Sequence, residues 1–154
     1  MGSEMCIRDR VSSKYYPKQP KNILAITGTN GKTSVTKFTE EIWQLMGIKS
    51  ASIGTLGNST TKTSNALTTP DPISLHKQVD TLASEGFQDL VIEASSHGLS
   101  QLRMDSLDIA GAAFTSFSRD HLDYHSSMDS YFNAKKKVIY PPDKHKGNSC
   151  GKYD

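Results

Sequence analysis

The hexapeptide Gly28-Thr29-Asn30-Gly31-Lys32-Thr33 constrains the fold of this chain more than any other segment. It stands between an apolar, β-compatible run, Asn22 to Thr27 (NILAIT), and a segment of helical period that begins at Thr33. A buried strand that turns through glycines into a helix points successive backbone N–H groups and the positive helix end at one spot, a cradle for phosphate oxygens. In that setting Lys32 reaches the β- and γ-phosphates and the Thr33 hydroxyl reaches Mg²⁺. The segment departs from the general GxxxxGK[ST] pattern, whose first glycine would fall at Ile26. The bland alternative is a glycine-rich turn that happens to hold a lysine. The strand–loop–helix setting favours a nucleoside triphosphate site.

The remaining pattern extends this unit into a fold. Val35, Phe38, Ile42, Leu45 and Met46 form one apolar helical stripe, stopped by Gly47. Ser50 to Ile53 reads as a second strand, followed by a Ser/Thr/Asn-rich loop up to Thr69. Asp71-Pro72 supplies an N-cap and first turn for a helix carrying Ile73, Val79, Leu82 and Ala83, which Gly86 ends. Leu90 to Ala94 and Ile109 to Thr115 read as further buried strands, and Met128 to Ile139 as a final helix with Tyr131, Phe132, Ala134, Val138 and Ile139 apolar. Strands alternating with helices predict an α/β fold: a P-loop-containing, mostly parallel, doubly wound sheet flanked by helices, with ligands at the carboxyl ends of its strands.

With 154 residues there is room for one domain of ordinary size. The net charge of +2 is unevenly spread. Residues 1–22 carry +3 and residues 133–154 carry +4, whereas residues 23–132 hold seven basic and twelve acidic groups, or −5. A nucleic-acid-binding reading is therefore weak. Residues 1–14 show no helical or strand period and are expected to be a non-native or disordered leader. Residues 141–154 hold little to bury and are expected to be a disordered or artefactual tail, which leaves 15–140 as the domain. The longest apolar stretch, Ile109 to Phe114, is too short to cross a bilayer, and the first ten residues lack the apolar run of a secretory signal, so a cytoplasmic location is expected.

Three polar groups fall at strand ends. Glu93 is the charged residue in the apolar run Leu90 to Ala94, and a buried carboxylate needs a partner, which a nucleotide-bound cation would supply. An exposed strand-end glutamate is the alternative. His97, within Ser95-Ser96-His97-Gly98, hints at a Ser/His hydrolase, but neither a nucleophile-elbow pattern nor an acid partner supports it. Ser118-Arg119-Asp120-His121-Leu122-Asp123-Tyr124-His125 packs five ionisable groups after a strand, either a solvated loop or part of the same sheet edge.

Taken together, GTNGKT, EASSHGL and SRDHLDYH resemble the Mur ligase family, from about Tyr15 to about Tyr140. Within it the likeness is to the ligases that add the third residue of the peptidoglycan stem peptide. The resemblance implies a three-domain enzyme, of which this chain is most of the central ATP-binding domain, a fragment inactive alone. It implies ATP and Mg²⁺ as cofactors, with Gly28, Thr29, Asn30, Gly31, Lys32, Thr33 and Ser34 on the nucleotide. It makes Lys32, Glu93, His121 and Lys135 catalytic, and Thr33, Glu93, His121 and a carbamylated Lys135 metal ligands. Carbamylation requires a neutral amine, which the neighbouring charges of Lys136 and Lys137 would favour. Without the resemblance, Lys135 to Lys137 reads as a solvated helix face. Thr68, Thr69, Ser95, Gln101 and Arg103 match positions that bind UDP-MurNAc-L-Ala-D-Glu, the guanidinium holding an anionic group. An amino acid, meso-diaminopimelate or L-lysine, is the other substrate, and no nucleic acid, membrane or obligate protein partner is implied. His76, His125 and His145 receive no role and are expected at the surface. Another Mur or folylpolyglutamate-type ligase, or a non-catalytic nucleotide-binding fragment, are the alternatives.

Overall fold

In a computed structural model, which describes residues 2–61, 67–120 and 123–139, the elements run α1 (Gly2–Tyr15), β1 (Asn22–Thr27), α2 (Lys32–Leu45), β2 (Ser50–Gly54), β3 (Gly57–Asn58), α3 (Pro72–Ser84), β4 (Asp89–Glu93), α4 (Ser96–Ser100), β5 (Ile109–Phe114) and α5 (Met128–Ile139). The sheet has the order β3-β2-β4-β1-β5. Strands β2, β4, β1 and β5 are parallel, and β3 returns antiparallel to β2. This is the mostly parallel, helix-flanked α/β sheet expected from the alternation. No helix among the described residues is long and apolar enough to cross a membrane.

Strand pairing decides where the site lies. Ile26 pairs with Glu93, and Thr27 pairs with Phe114, so β1, β4 and β5 end level. The loops that follow them, 28–31, 94–95 and 115–118, therefore open on the same sheet edge, the binding edge of a doubly wound sheet.

The two faces of the sheet differ. On one, Ile23, Ala25, Ala51, Ile53, Leu90 and Ile92 join Leu75, Val79 and Leu82 of α3 and Val138 of α5 in the apolar core. Asp71 caps α3 by accepting from the N–H groups of Ile73 (3.1 Å) and Ser74 (3.2 Å), and Pro72 opens its first turn. On the other face α2 rests on β2 and β4 through polar groups. The buried Glu40 carboxylate accepts from Ser52 Oγ (2.8 Å), Lys37 Nζ (2.9 Å) and Gln44 Nε2 (3.3 Å), and Ser50 Oγ donates to the Glu40 carbonyl (3.3 Å).

Several expectations are corrected. The apolar stripe of α2 does not face the sheet: Phe38, Ile42, Leu45 and Met46 are exposed, and the buried side chains are Thr36 and Glu40. The serines of β2 present a polar surface, which a carboxylate and a hydroxyl match better than methyl groups. Strand β5 is at the sheet edge and consists of half-buried and exposed positions, so it is not a buried strand.

Residues 2–14 also differ from the leader expected of them, since they form α1 against α3. Its buried residues Cys6, Asp9 and Ser12 recur every three positions but are small or polar, a face that hydrophobic periodicity does not detect. Asp9 bonds His76 Nε2 at 2.8 Å and accepts from the Ser106 N–H at 2.8 Å. His76 and His125, expected at the surface, are buried. His145 and the tail 141–154 lie outside the described residues.

Replacing Glu40 with Ala strips the α2–sheet contact of its charged acceptor and should destabilise the domain by about 2 kcal/mol. Urea unfolding followed by circular dichroism measures this, and a loss below about 0.5 kcal/mol would mean that α2 is held otherwise.

Candidate functional site

The phosphate loop owes its shape to two glycines and to the strand beside it. Gly28 has φ +146°, and a Cβ there would lie 2.0 Å from Thr115 Oγ1; Gly31 has φ +85°. The loop is fastened to the segment after β5. Thr29 N–H donates to the Ser116 carbonyl (2.8 Å), Asn30 N–H to Ser116 Oγ (3.0 Å), and Thr115 Oγ1 to the Asn30 carbonyl (2.6 Å). Thr29 and Asn30 thus shape the loop with their N–H groups already engaged. The donors left at the loop's end belong to the first turn of α2, Lys32 to Ser34. Gly31 provides no side-chain cap there, and no acidic residue occupies the turn, which keeps the positive helix end open to an anion. Lys32 Nζ donates to the carbonyls of Gly28 (2.9 Å) and Thr29 (2.8 Å), within its own loop.

Glu93 ends the central strand β4 and is buried, not an exposed strand-end residue. Its Oε2 accepts from Thr33 Oγ1 (2.9 Å) and Thr55 Oγ1 (3.1 Å), and its Oε1 from Thr55 N–H (3.0 Å). Gly54 makes room for it, because a Cβ there would lie 2.2 Å from Glu93 Oε1. A cleft of about 220 Å³ opens alongside, lined by Thr33, Thr36, Lys37, Ser52, Gly54 and Glu93 among others. The buried Thr36 hydroxyl in its wall has no hydrogen-bond partner among the described residues. Carboxylate and hydroxyl oxygens in a roomy cleft fit a hard, hydrated divalent cation. No cluster of three or more His, Cys, Asp or Glu among the described residues is arranged to hold a metal. An ion held by Thr33 and Glu93 would complete its shell with other oxygens, from phosphate or water.

Lys135, on α5, is buried rather than solvated, and its Nζ donates to the Gly28 carbonyl at 2.6 Å, the same oxygen that Lys32 uses. Burial, and next the charge of Lys32, bring its pKa down to about 8 against the opposing pull of Asp120. Lys136 and Lys137, adjacent in sequence, are not among the causes. The lowered pKa raises the fraction of neutral amine near physiological pH, the form that carbamylation needs.

The third cluster brings together Thr68, Thr69, Ser95, Gln101 and Arg103. Thr69 is buried, its hydroxyl donating to the Glu93 carbonyl (2.8 Å) and accepting from Ser95 N–H (2.9 Å). Ser95 Oγ accepts from Gly98 N–H (3.0 Å) as the cap of α4. Arg103 donates through Nη1 to the Thr69 carbonyl (2.6 Å) and through Nε (3.0 Å) and Nη2 (2.6 Å) to Gln101 Oε1. Thr68 Oγ1 stands 3.2 Å from Thr55 Oγ1, which links this cluster to Glu93. Ser34 is exposed on the first turn of α2. His121 lies outside the described residues.

Sequence reasoning gave no site role to Thr55, Thr115, Tyr131 or Asp120. Thr55 sits just past β2, whose parallel pairing with β4 brings it to Glu93, a proximity visible only once the strand order is known. Tyr131 OH lies 3.0 Å from Thr29 Oγ1, and Lys135 Nζ stands over its ring at 4.6 Å.

Residues 26–146 match the family model described as the Mur ligase middle domain. The chain is 48% identical over 136 residues to a UDP-N-acetylmuramoyl-L-alanyl-D-glutamate–2,6-diaminopimelate ligase of Bradyrhizobium diazoefficiens, covering 85% of this chain and 28% of that protein. It is 48% identical over 130 residues to the ligase of the same name from Brucella melitensis, covering 83% of this chain and 27% of that one. A solved structure of a ligase of that name superposes with a TM-score of 0.73 at 35% identity, over 84% of this chain and 26% of the other. The chain thus spans little more than a quarter of the length of these relatives.

Titrating the domain labelled with ¹³C at lysine side chains should give Lys135 a midpoint near 8. Lys32→Ala should raise that midpoint, because removing a like charge favours the protonated amine. An unmoved or lowered midpoint would contradict the pairing of the two amines.

Proposed function

The chain belongs to the Mur ligase family, and we propose that it is the ATP- and metal-binding centre of a ligase that joins an amino acid to UDP-MurNAc-L-Ala-D-Glu. The observation that carries this reading is the convergence of Thr33, Thr55, Lys32 and Lys135 on Glu93 and the Gly28 carbonyl, at the shared end of three strands. The curated relatives named above are diaminopimelate ligases, and we extend that amino acid to this chain. A cytoplasmic site of action suits those soluble substrates.

Each group has a task in forming an amide through an acyl phosphate. The γ-phosphoryl group of ATP passes to the D-Glu carboxylate, ADP leaves, and the incoming amine then displaces phosphate. Transfer of this kind is governed by position and charge neutralisation rather than by a protein nucleophile. The first-turn N–H groups of α2 and the Lys32 ammonium hold the β- and γ-phosphates, for which Lys32 exchanges the loop carbonyls it now contacts. Mg²⁺ supplies charge neutralisation at the transferring group when bound. Thr33 and Glu93 would hold one ion. His121 and Lys135 would contribute to a second, Lys135 as the carbamate that CO₂ forms with its neutral amine. Arg103, braced by Thr69 and Gln101, faces the anionic dipeptide, and Thr68 and Ser95 stand beside it. A nucleotide-binding piece without catalysis is the second reading, favoured for this 154-residue chain by itself because it spans 28% of its relative.

In a complete ligase carrying this domain, Lys32→Ala should cut phosphate release and amide formation by at least 10³-fold, and near-normal turnover would overturn the phosphate-loop assignment. Lys135→Ala should be similarly impaired and partly restored by short carboxylic acids, which replace the carbamate. Full activity without such rescue would remove Lys135 from the site. The 154-residue chain alone should form no amide from UDP-MurNAc-L-Ala-D-Glu, as product analysis by mass spectrometry will show.

A further inference from the structure

Arg103 can only donate hydrogen bonds, so the Gln101 side chain that receives Nε and Nη2 must present its oxygen to them. Its NH₂ group then has to point the other way. It meets the hydroxyl of Tyr124, to which Gln101 Nε2 donates at 3.2 Å. A flipped amide would set NH₂ against the guanidinium and lose both hydrogen bonds from Nε and Nη2, while the tyrosine hydroxyl, donor and acceptor alike, would still bond the end turned toward it. Arg103 thus sets which way the Gln101 amide faces, and Tyr124 anchors the other end of that side chain, so that Gln101 is held where it fixes the plane of Arg103. With Nη1 fixed on the Thr69 carbonyl, three of the five guanidinium N–H groups are engaged among the described residues, and two are left to grip an anion.

The tyrosine ring is itself held. It packs against His97 of α4 with centroids 4.0 Å apart and meets His125 edge-on at 4.9 Å. His125 is buried and lies 5.2 Å from the ring of Tyr131, whose hydroxyl is 3.0 Å from Thr29 in the phosphate loop. Tyr124 is 42% exposed, so one side of it rests on this aromatic wall and its remaining surface fronts solvent beside Gln101. The wall is anchored to the nucleotide loop at one end and to the arginine cluster at the other.

We propose that Tyr124 is a positioning residue of the substrate subsite, acting through Gln101 to hold Arg103 toward the carboxylate-bearing peptide of the UDP-linked substrate. The inference rests on the substrate reading given above for Gln101 and Arg103. It adds to that reading a residue from the 118–125 segment and assigns the segment a second role beside His121.

Tyr124→Phe removes the hydroxyl and keeps the ring, so the packing on His97 and His125 survives. In a complete ligase carrying this domain, calorimetry should show Kd for UDP-MurNAc-L-Ala-D-Glu rising about fivefold, as expected for one net hydrogen bond, with Kd for ATP unchanged. Gln101→Ala should weaken the same ligand, and adding Tyr124→Phe to it should cost less than a further twofold, because the tyrosine acts through the glutamine. The proposal is overturned if Tyr124→Phe leaves the UDP-substrate Kd within twofold of wild type, if it weakens ATP by the same factor, or if the two substitutions add fully. Failure of the wild-type enzyme to bind UDP-MurNAc-L-Ala-D-Glu would instead overturn the substrate reading on which the proposal stands.

Discussion

A carboxylate buried at the end of the central strand is the constraint around which this domain is arranged. Glu93 occupies a position where an ionised group without partners would be costly. Its three hydrogen bonds come from the first turn of α2 and from the residue just beyond β2. Meeting that requirement brings the phosphate-loop helix, the second strand and the fourth strand to one point. It also demands a residue without a side chain at Gly54, since any Cβ there would enter the volume of the carboxylate. The acid ties the sheet to its loops and marks where a cation would find oxygen.

The second organising feature is the Gly28 carbonyl, which accepts from two amines on different elements, Lys32 on α2 and Lys135 on α5. Two ammonium groups at one oxygen repel each other, and burial adds to the penalty on charge, so Lys135 yields its proton more readily than an exposed lysine. The Lys32 pKa is lowered by burial as well, against the opposing charges of Glu93 and Asp120, whereas for Lys135 the opposing charge is that of Asp120.

How much of this was legible in the sequence varies with the kind of interaction. The strand–loop–helix around GTNGKT was readable because glycine, lysine and apolar run act locally. The Asp71-Pro72 start of α3 was readable for the same reason. Glu93 stood out as a charge within an apolar strand, and the sheet confirms its burial. Thr55 did not stand out, because its partner is 38 residues away and reached only through strand order. The face of α2 was misread because apolar spacing was taken to mark the core, while the surface beneath carries Ser50 and Ser52. Helix α1 and the burial of His76 were missed together, since each depends on the other through Asp9. The whole-chain charge of +2 likewise obscured that the candidate site residues, Lys135 apart, lie in a segment of −5.

The contrast between the two sheet faces bears on how the site keeps its geometry. Apolar contacts, as between α3 and the sheet, are strong but non-directional, and a helix held by them alone can slide or rotate at small cost. Hydrogen bonds to a buried carboxylate tolerate little rotation. Glu40 lies two turns along α2 from Thr33 and fixes the helix to β2 through Ser52. Rotation of α2 by even a fraction of a residue would carry the Thr33 hydroxyl away from Glu93. A polar underside costs some hydrophobic stabilisation, and in return the N-terminal end of the helix is registered against the strand that holds the acid. The exposed apolar residues on the far side of α2 follow from the same choice, since the face that sets register is the one committed to the sheet.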